Sequence, residues 1–142
     1  MFFRLLALFF ISSTSFAMET PVGTLGNAVR IFDALLDSGA EVRTSPGGKD
    51  SFELIRATNL VCTIQSAPEF DALCTFFTKG EKERVVRGVA SSENSWMIGF
   101  SLISAGARKT QVSETVSEVR VKSLVCNTLN AKSQSTCTFM QD

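Results

Sequence analysis

Two segments of this 142-residue chain coincide when laid over one another, and each carries a pair of cysteines. Leu60-Val61-Cys62 matches Leu124-Val125-Cys126, and Cys74-Thr75-Phe76 matches Cys137-Thr138-Phe139. Upstream, Ser38-Gly39-Ala40 falls on Ala105-Gly106-Ala107, Leu35-Leu36 on Leu102-Ile103, Val22 on Val89 and Asn27 on Asn94. The first copy is longer at Pro46-Gly47-Gly48 and by one residue between its cysteines, which are turn positions. Length differences confined to turns are what a duplicated structural unit shows. Cysteine is rare and both pairs keep their neighbours, so the pattern reads as two repeats, about 22–90 and 91–142.

Ahead of the repeats, Met1-Phe2-Phe3-Arg4 leads into an apolar stretch from Leu5 to Ile11 and then Ser12-Ser13-Thr14-Ser15-Phe16-Ala17. A positive start, an apolar middle too short to span a bilayer and a small-x-small ending predict a signal peptide over 1–17, cut before Met18. The mature chain, 18–142, is then one exported domain with no stable membrane insertion. The whole sequence balances 14 basic against 14 acidic residues, so neither a nucleic-acid footprint nor a polybasic membrane surface is indicated.

Within the first repeat, Ala28, Ile31, Phe32, Leu35 and Leu36 follow the spacing of one apolar helix face, and Gly39 ends the helix as a cap. Residues 51–65 favour strand, Ala67-Pro68 a turn, and 70–78 a return strand, with a short third strand over 84–90. Ser91 or Ser92 is positioned to cap a second helix that runs through Trp96 to Gly106, a segment that only the alignment separates from a strand. Strands over 115–127 and 135–140 complete the second unit. The expected fold is α+β: tandem duplicated helix-plus-β-hairpin units forming one antiparallel sheet with two helices packed on one face.

An even number of cysteines in an exported chain predicts disulfides, and the repeat selects Cys62 with Cys74 and Cys126 with Cys137 from the three connectivities. A four-cysteine zinc site and a redox-active pair are the alternatives, and both want C-x-x-C spacing that is lacking here. No metal or cofactor is expected. In topology, a duplicated helix-hairpin with one disulfide per unit resembles the β-lactamase inhibitory proteins and, more loosely, PepSY-type domains. That resemblance is one of architecture, implies a protein-binding role and carries no functional residue across.

Alternation along the strands predicts which side chains leave the core. With the cysteines taken as outward, the face away from the helices carries Arg56, Leu60, Phe76, Arg120, Leu124 and Phe139, and the inward set is Ile55, Ala57, Val61, Val119, Val121 and Val125. Arginine and aromatic side chains among apolar ones suit an interaction surface. The competing reading packs these apolar residues away from solvent, since a single β-bulge reverses the faces. Trp96, Met97 and Phe100 make the second helix apolar where the first is polar, and either 84–90 or the N-terminus covers them or they form a partner or homodimer contact.

Catalytic chemistry finds little support. The chain has no histidine and no tyrosine, which removes the commonest acid/base and metal ligand. Gly47-Gly48-Lys49 lacks phosphate-loop spacing, no S-x-x-K pair is present, and Glu69 and Asp71 sit beside a turn where solvated acids are ordinary. The sequence therefore predicts a secreted, periplasmic or extracellular, non-catalytic module that binds another exported protein, possible inhibition included. A binder of a small apolar or anionic ligand between sheet and helices is the alternative.

Overall fold

The computed structural model describes residues 23–44, 52–129 and 134–141. The predicted signal peptide and the Pro46-Gly47-Gly48 turn lie outside them. Among the described residues the chain is an α+β protein with one eight-stranded antiparallel sheet and two helices. In chain order the elements are β1 (Gly23–Leu25), α1 (Ala28–Asp37), β2 (Arg43–Thr44), β3 (Phe52–Gln65), β4 (Asp71–Lys79), β5 (Val85–Val89), α2 (Ser92–Ser104), β6 (Lys109–Gln111), β7 (Val116–Leu129) and β8 (Gln134–Gln141). No described helix is long and apolar enough to cross a membrane.

The strands lie side by side as β1-β8-β7-β3-β4-β5, with β2 and β6 pairing the early parts of β3 and β7. The long strands β3 and β7 run antiparallel in continuous register from Phe52 opposite Leu129 to Gln65 opposite Val116. Each helix covers the hairpin that belongs to the other half of the chain. α1 packs on β7 and β8, and α2 packs on β3 and β4. Neither half can therefore bury its own hairpin, which explains why a chain with two short helices closes a single core.

Local sequence explains both helices. α1 buries Ala28, Ile31, Phe32, Ala34 and Leu35 along one stripe. Its end is a Schellman cap: Gly39 adopts φ +94°, its amide donates to the Leu36 carbonyl at 3.0 Å, and the Ala40 amide donates to Leu35 at 3.0 Å. Gly106 repeats this at the end of α2 with φ +103°, its amide donating to Ile103 and that of Ala107 to Leu102. At the start of α2, the Ser91 hydroxyl accepts from the Asn94 amide at 3.2 Å, and Glu93 lies in the positive first turn.

The cystines are Cys62–Cys74 and Cys126–Cys137, each joining directly opposed residues of neighbouring strands. Both are fully buried under the helices. The Ser95 hydroxyl on α2 accepts from the Cys74 amide at 2.7 Å and donates to the Ala90 carbonyl at 3.3 Å, which ties α2 to β4. Two cystines indicate an oxidising, extracytoplasmic environment.

This arrangement corrects the expected faces of the sheet. Leu60, Phe76, Leu124 and Phe139 do not point outward; they are 0–1 % exposed and form the centre of the helix-facing core with the cystines. Val61 and Val125, expected inside, alternate onto the opposite face and are half-buried. The reason is one extra residue in each long strand: β3 shifts register against β4 between Thr58 and Val61, and β7 shifts against β8 between Val121 and Ser123. Asn59 takes the left-handed conformation, φ +48°, at the first of these bulges. Burial consequently changes phase along β3 from Ile55 and Ala57 to Leu60, Cys62 and Ile64, and along β7 from Val119 and Val121 to Leu124 and Cys126. Each fully buried phenylalanine contributes roughly 1.5–3 kcal/mol by leaving water.

Candidate functional site: the helix-free face of the sheet

The helices leave one whole side of the sheet uncovered, and the bulges decide what it displays. Alternation from the buried positions assigns Leu54, Arg56 and Thr58 to this face on β3, followed after the bulge by Val61 and Thr63. β4 contributes Leu73, Thr75 and Phe77, and β5 contributes Val85, Arg87 and Val89. β7 contributes Glu118, Arg120, Val125 and Asn127.

The two ends of this face differ in character. Over β4 and β5, Leu73, Phe77, Val85 and Val89 are 49 %, 37 %, 62 % and 47 % exposed, an apolar strip on the two outermost strands of that side. At the opposite end, β8 and β1 present Thr136, Thr138 and Thr24. The register makes the contrast positional, because Leu73 and Thr136 each precede the second cysteine of their own hairpin. In the register these four alternate diagonally with Thr75 and Arg87, which lie between them on the same face, and exposed apolar side chains grouped in this way mark an interaction site more often than scattered ones do. The outer edge of β5 also carries backbone groups that pair with no further strand among the described residues.

Arg56 and Arg120, matched when the two sequence segments are aligned, are not equivalent in the structure. Both are exposed on the helix-free face. Arg120 is joined through its Nε to the Glu118 carboxylate two residues away on the same strand. Arg56 stands opposite Val125 with no ion pair among the described residues. It lines an opening of about 430 Å³ at the corner where β2, β3, β4 and β5 meet, together with Leu54, Thr58, Val125, Thr78, Lys79, Val85 and Arg43. Arg43 is held at its rim by a hydrogen bond from Nε to the Lys79 carbonyl at 3.1 Å. Beyond Arg43, the Glu81 carboxylate accepts from the Thr44 hydroxyl at 2.6 Å and the Thr44 amide at 3.1 Å. These two bonds hold its pKa below the usual carboxylate range, with a smaller contribution from Arg43.

Of the expected binding residues, then, Arg56 and Arg120 lie on the helix-free face, whereas Leu60, Phe76, Leu124 and Phe139 lie behind it. The exposed apolar residues of β4 and β5 were not among those expected; the signal for Leu73 and Phe77 was Asn59, an asparagine placed where strand preference is otherwise strong, at the bulge between β3 and β4. Trp96 and Phe100 stack on the surface of α2 with ring centroids 5.1 Å apart; Phe100 is 51 % exposed and Met97 packs partly against the core. The 84–90 segment does not cover them, because β5 extends the sheet beside β4 instead. Glu69 and Asp71 form no buried pair: both are exposed, and Asp71 accepts from the Ser92 hydroxyl at 2.7 Å. No group of three or more metal-ligating side chains occurs among the described residues. Comparison with protein-family models, curated proteins and solved structures finds no match.

Proposed function

We propose that this protein is an exported, non-catalytic binding module, built from a tandemly duplicated unit, whose helix-free sheet face docks another exported protein. The observation that carries this reading is the exposed apolar strip of Leu73, Phe77, Val85 and Val89 beside Arg56, which has no ion pair among the described residues. Apolar and arginine side chains in one patch are the composition that protein interfaces favour. The strip occupies one half of the chain only, so the docking face is asymmetric although the strand order is not. Export agrees with the two cystines. Inhibition of the partner is the corresponding proposal from architecture alone.

Space between sheet and helices is filled by Leu60, Phe76, Leu124 and Phe139, which favours a surface partner over a ligand enclosed there. The test is affinity capture from the exported fraction of the producing organism with wild type, with Leu73→Glu/Phe77→Glu, and with Phe100→Glu on the helix side. A specific partner retained by wild type and Phe100→Glu but lost by the double variant is expected. Retention by all three proteins, or by none, contradicts the proposal.

A further inference from the structure

We infer that the corner pocket between β2, β3, β4 and β5 receives a carboxylate of the docked partner, presented beside apolar side chains, an inference that rests on the binding-module reading above. Three cations, Arg43, Arg56 and Lys79, surround a floor of Leu54, Val85 and Val125 in one opening of about 430 Å³. The sheet register creates the mixture: Arg43 stands opposite Leu54, Arg56 opposite Val125, and Lys79 opposite Val85. Each cation is therefore laid beside an apolar neighbour across the strands.

Among the described residues, the lining includes no acidic side chain. Arg56 and Lys79 have no ion-pair partner there, and Arg43 is fixed at the rim, where its charge also acts on the Glu81 carboxylate held by Thr44. Like charges gathered over an apolar floor repel one another and raise the local affinity for an anion. The floor then selects among anions. A fully hydrated inorganic ion would leave Leu54, Val85 and Val125 uncovered, whereas a carboxylate on an apolar body satisfies both parts. Guanidinium groups add bidentate geometry for a carboxylate.

The surroundings point to a segment of a protein as the source of that carboxylate. Thr58, at the pocket, stands opposite Phe77, and from Phe77 the exposed face of β4 continues past Thr75 to Leu73. From Lys79 to Leu73 this surface is about 20 Å long at the rise of an antiparallel strand. An isolated organic acid would cover only the pocket. An extended segment with one acidic residue followed by alternating apolar ones would cover pocket and strip together.

Amide chemical shifts of the intact mature protein report this directly with three probes: acetyl-Glu-Thr-Val-Thr-Phe-amide, in which Glu, Val and Phe share one face of the extended chain, its Gln counterpart, and 4-phenylbutyrate. The Glu peptide is expected to saturate shifts at Leu54, Arg56, Val85 and Val125 and to bind about tenfold tighter than the Gln peptide, the size of one charge-assisted hydrogen bond. Arg56→Gln, with its remaining spectrum unchanged, should abolish that preference, and Phe77→Ser should weaken the peptide without affecting 4-phenylbutyrate. Equal binding of the Glu and Gln peptides, an unaltered preference in Arg56→Gln, or no shifts up to about 10 mM would overturn the inference. Binding of 4-phenylbutyrate as tight as the Glu peptide would replace the partner protein by a free organic acid. A partner captured equally by wild type and Arg56→Gln would remove the pocket's role but leave the docking face; capture by neither would remove the face itself.

Discussion

Adding one methyl group at Gly88 should destabilise the protein measurably, because the space it needs is occupied by a buried ring. Gly88 on β5 stands opposite Phe76 on β4, and a Cβ built there would lie 2.3 Å from both Cε2 and Cζ of that ring. Ordinary carbon contacts are about 3.5–4.0 Å, so the ring would have to retreat by more than about 1 Å. Phe76 is 0 % exposed beneath the helices, so the ring cannot retreat into solvent. Overpacking of a filled core costs about 1–3 kcal/mol, and the reduced freedom of alanine in the unfolded chain returns about 0.4–1 kcal/mol. The net expectation for Gly88→Ala is a loss of about 1–2 kcal/mol in urea unfolding followed by circular dichroism, with the m-value unchanged. Phe76→Leu should relieve the clash, so the double variant should be more stable than the two single losses predict, by about 1 kcal/mol. A neutral or stabilising Gly88→Ala, or strict additivity in the double variant, would refute the placement of Phe76 on the helix side of the sheet.

Three further outcomes follow from buried or paired groups. Ser95→Ala strands the Cys74 amide that its hydroxyl accepts at 2.7 Å, and should cost about 1–3 kcal/mol together with faster hydrogen exchange at Cys74. Replacing Cys62 and Cys74 by alanine opens a loop of sequence separation 12 and should cost about 3 kcal/mol in the chain-entropy account; because both cystines are fully buried, reduction by dithiothreitol in the native state should proceed at the rate of structural opening. Glu81 has its pKa lowered mainly by Thr44, so its contribution is present above the unfolded pKa and lost as pH falls through the folded one. In Thr44→Val, the Glu81 carbon resonance should titrate at higher pH than in wild type, and an unchanged midpoint would contradict that assignment.

The first helix and the long strands were legible because their signals are local, whereas α2 needed the alignment with α1 to be separated from a strand, and the short strands β1, β2 and β6 carried no signal of their own. The apolar stripe from Ala28 to Leu35 and the glycines at 39 and 106 belong to single helices, and Ser91 or Ser92 reads as a cap without tertiary information, the structure choosing Ser91. The aligned cysteines identified both cystines because directly opposed strand residues satisfy the reach of a disulfide. The faces were not legible by the same route. Alternation carries a face along a strand only while the register is unbroken, and a bulge at Asn59 or near Lys122 reverses every position beyond it. A backbone event of one residue thus moved Leu60, Phe76, Leu124 and Phe139 into the core and brought Phe77 and Leu73 to the surface. The exchange of helices between the two halves was hidden for a different reason: periodicity tells which stripe a helix buries, not which hairpin receives it.

Hydroxyl-radical footprinting of the intact protein, alone and bound to its captured partner, tests the docking face most directly. In the free protein, Leu73 and Phe77 should oxidise readily while Phe76 and Phe139 stay protected, as their burial requires. In the complex, Leu73 and Phe77 should become protected while Phe100 on the helix side remains as reactive as before. Protection of Phe100 with Leu73 and Phe77 unchanged would place the partner on the helices and contradict the account.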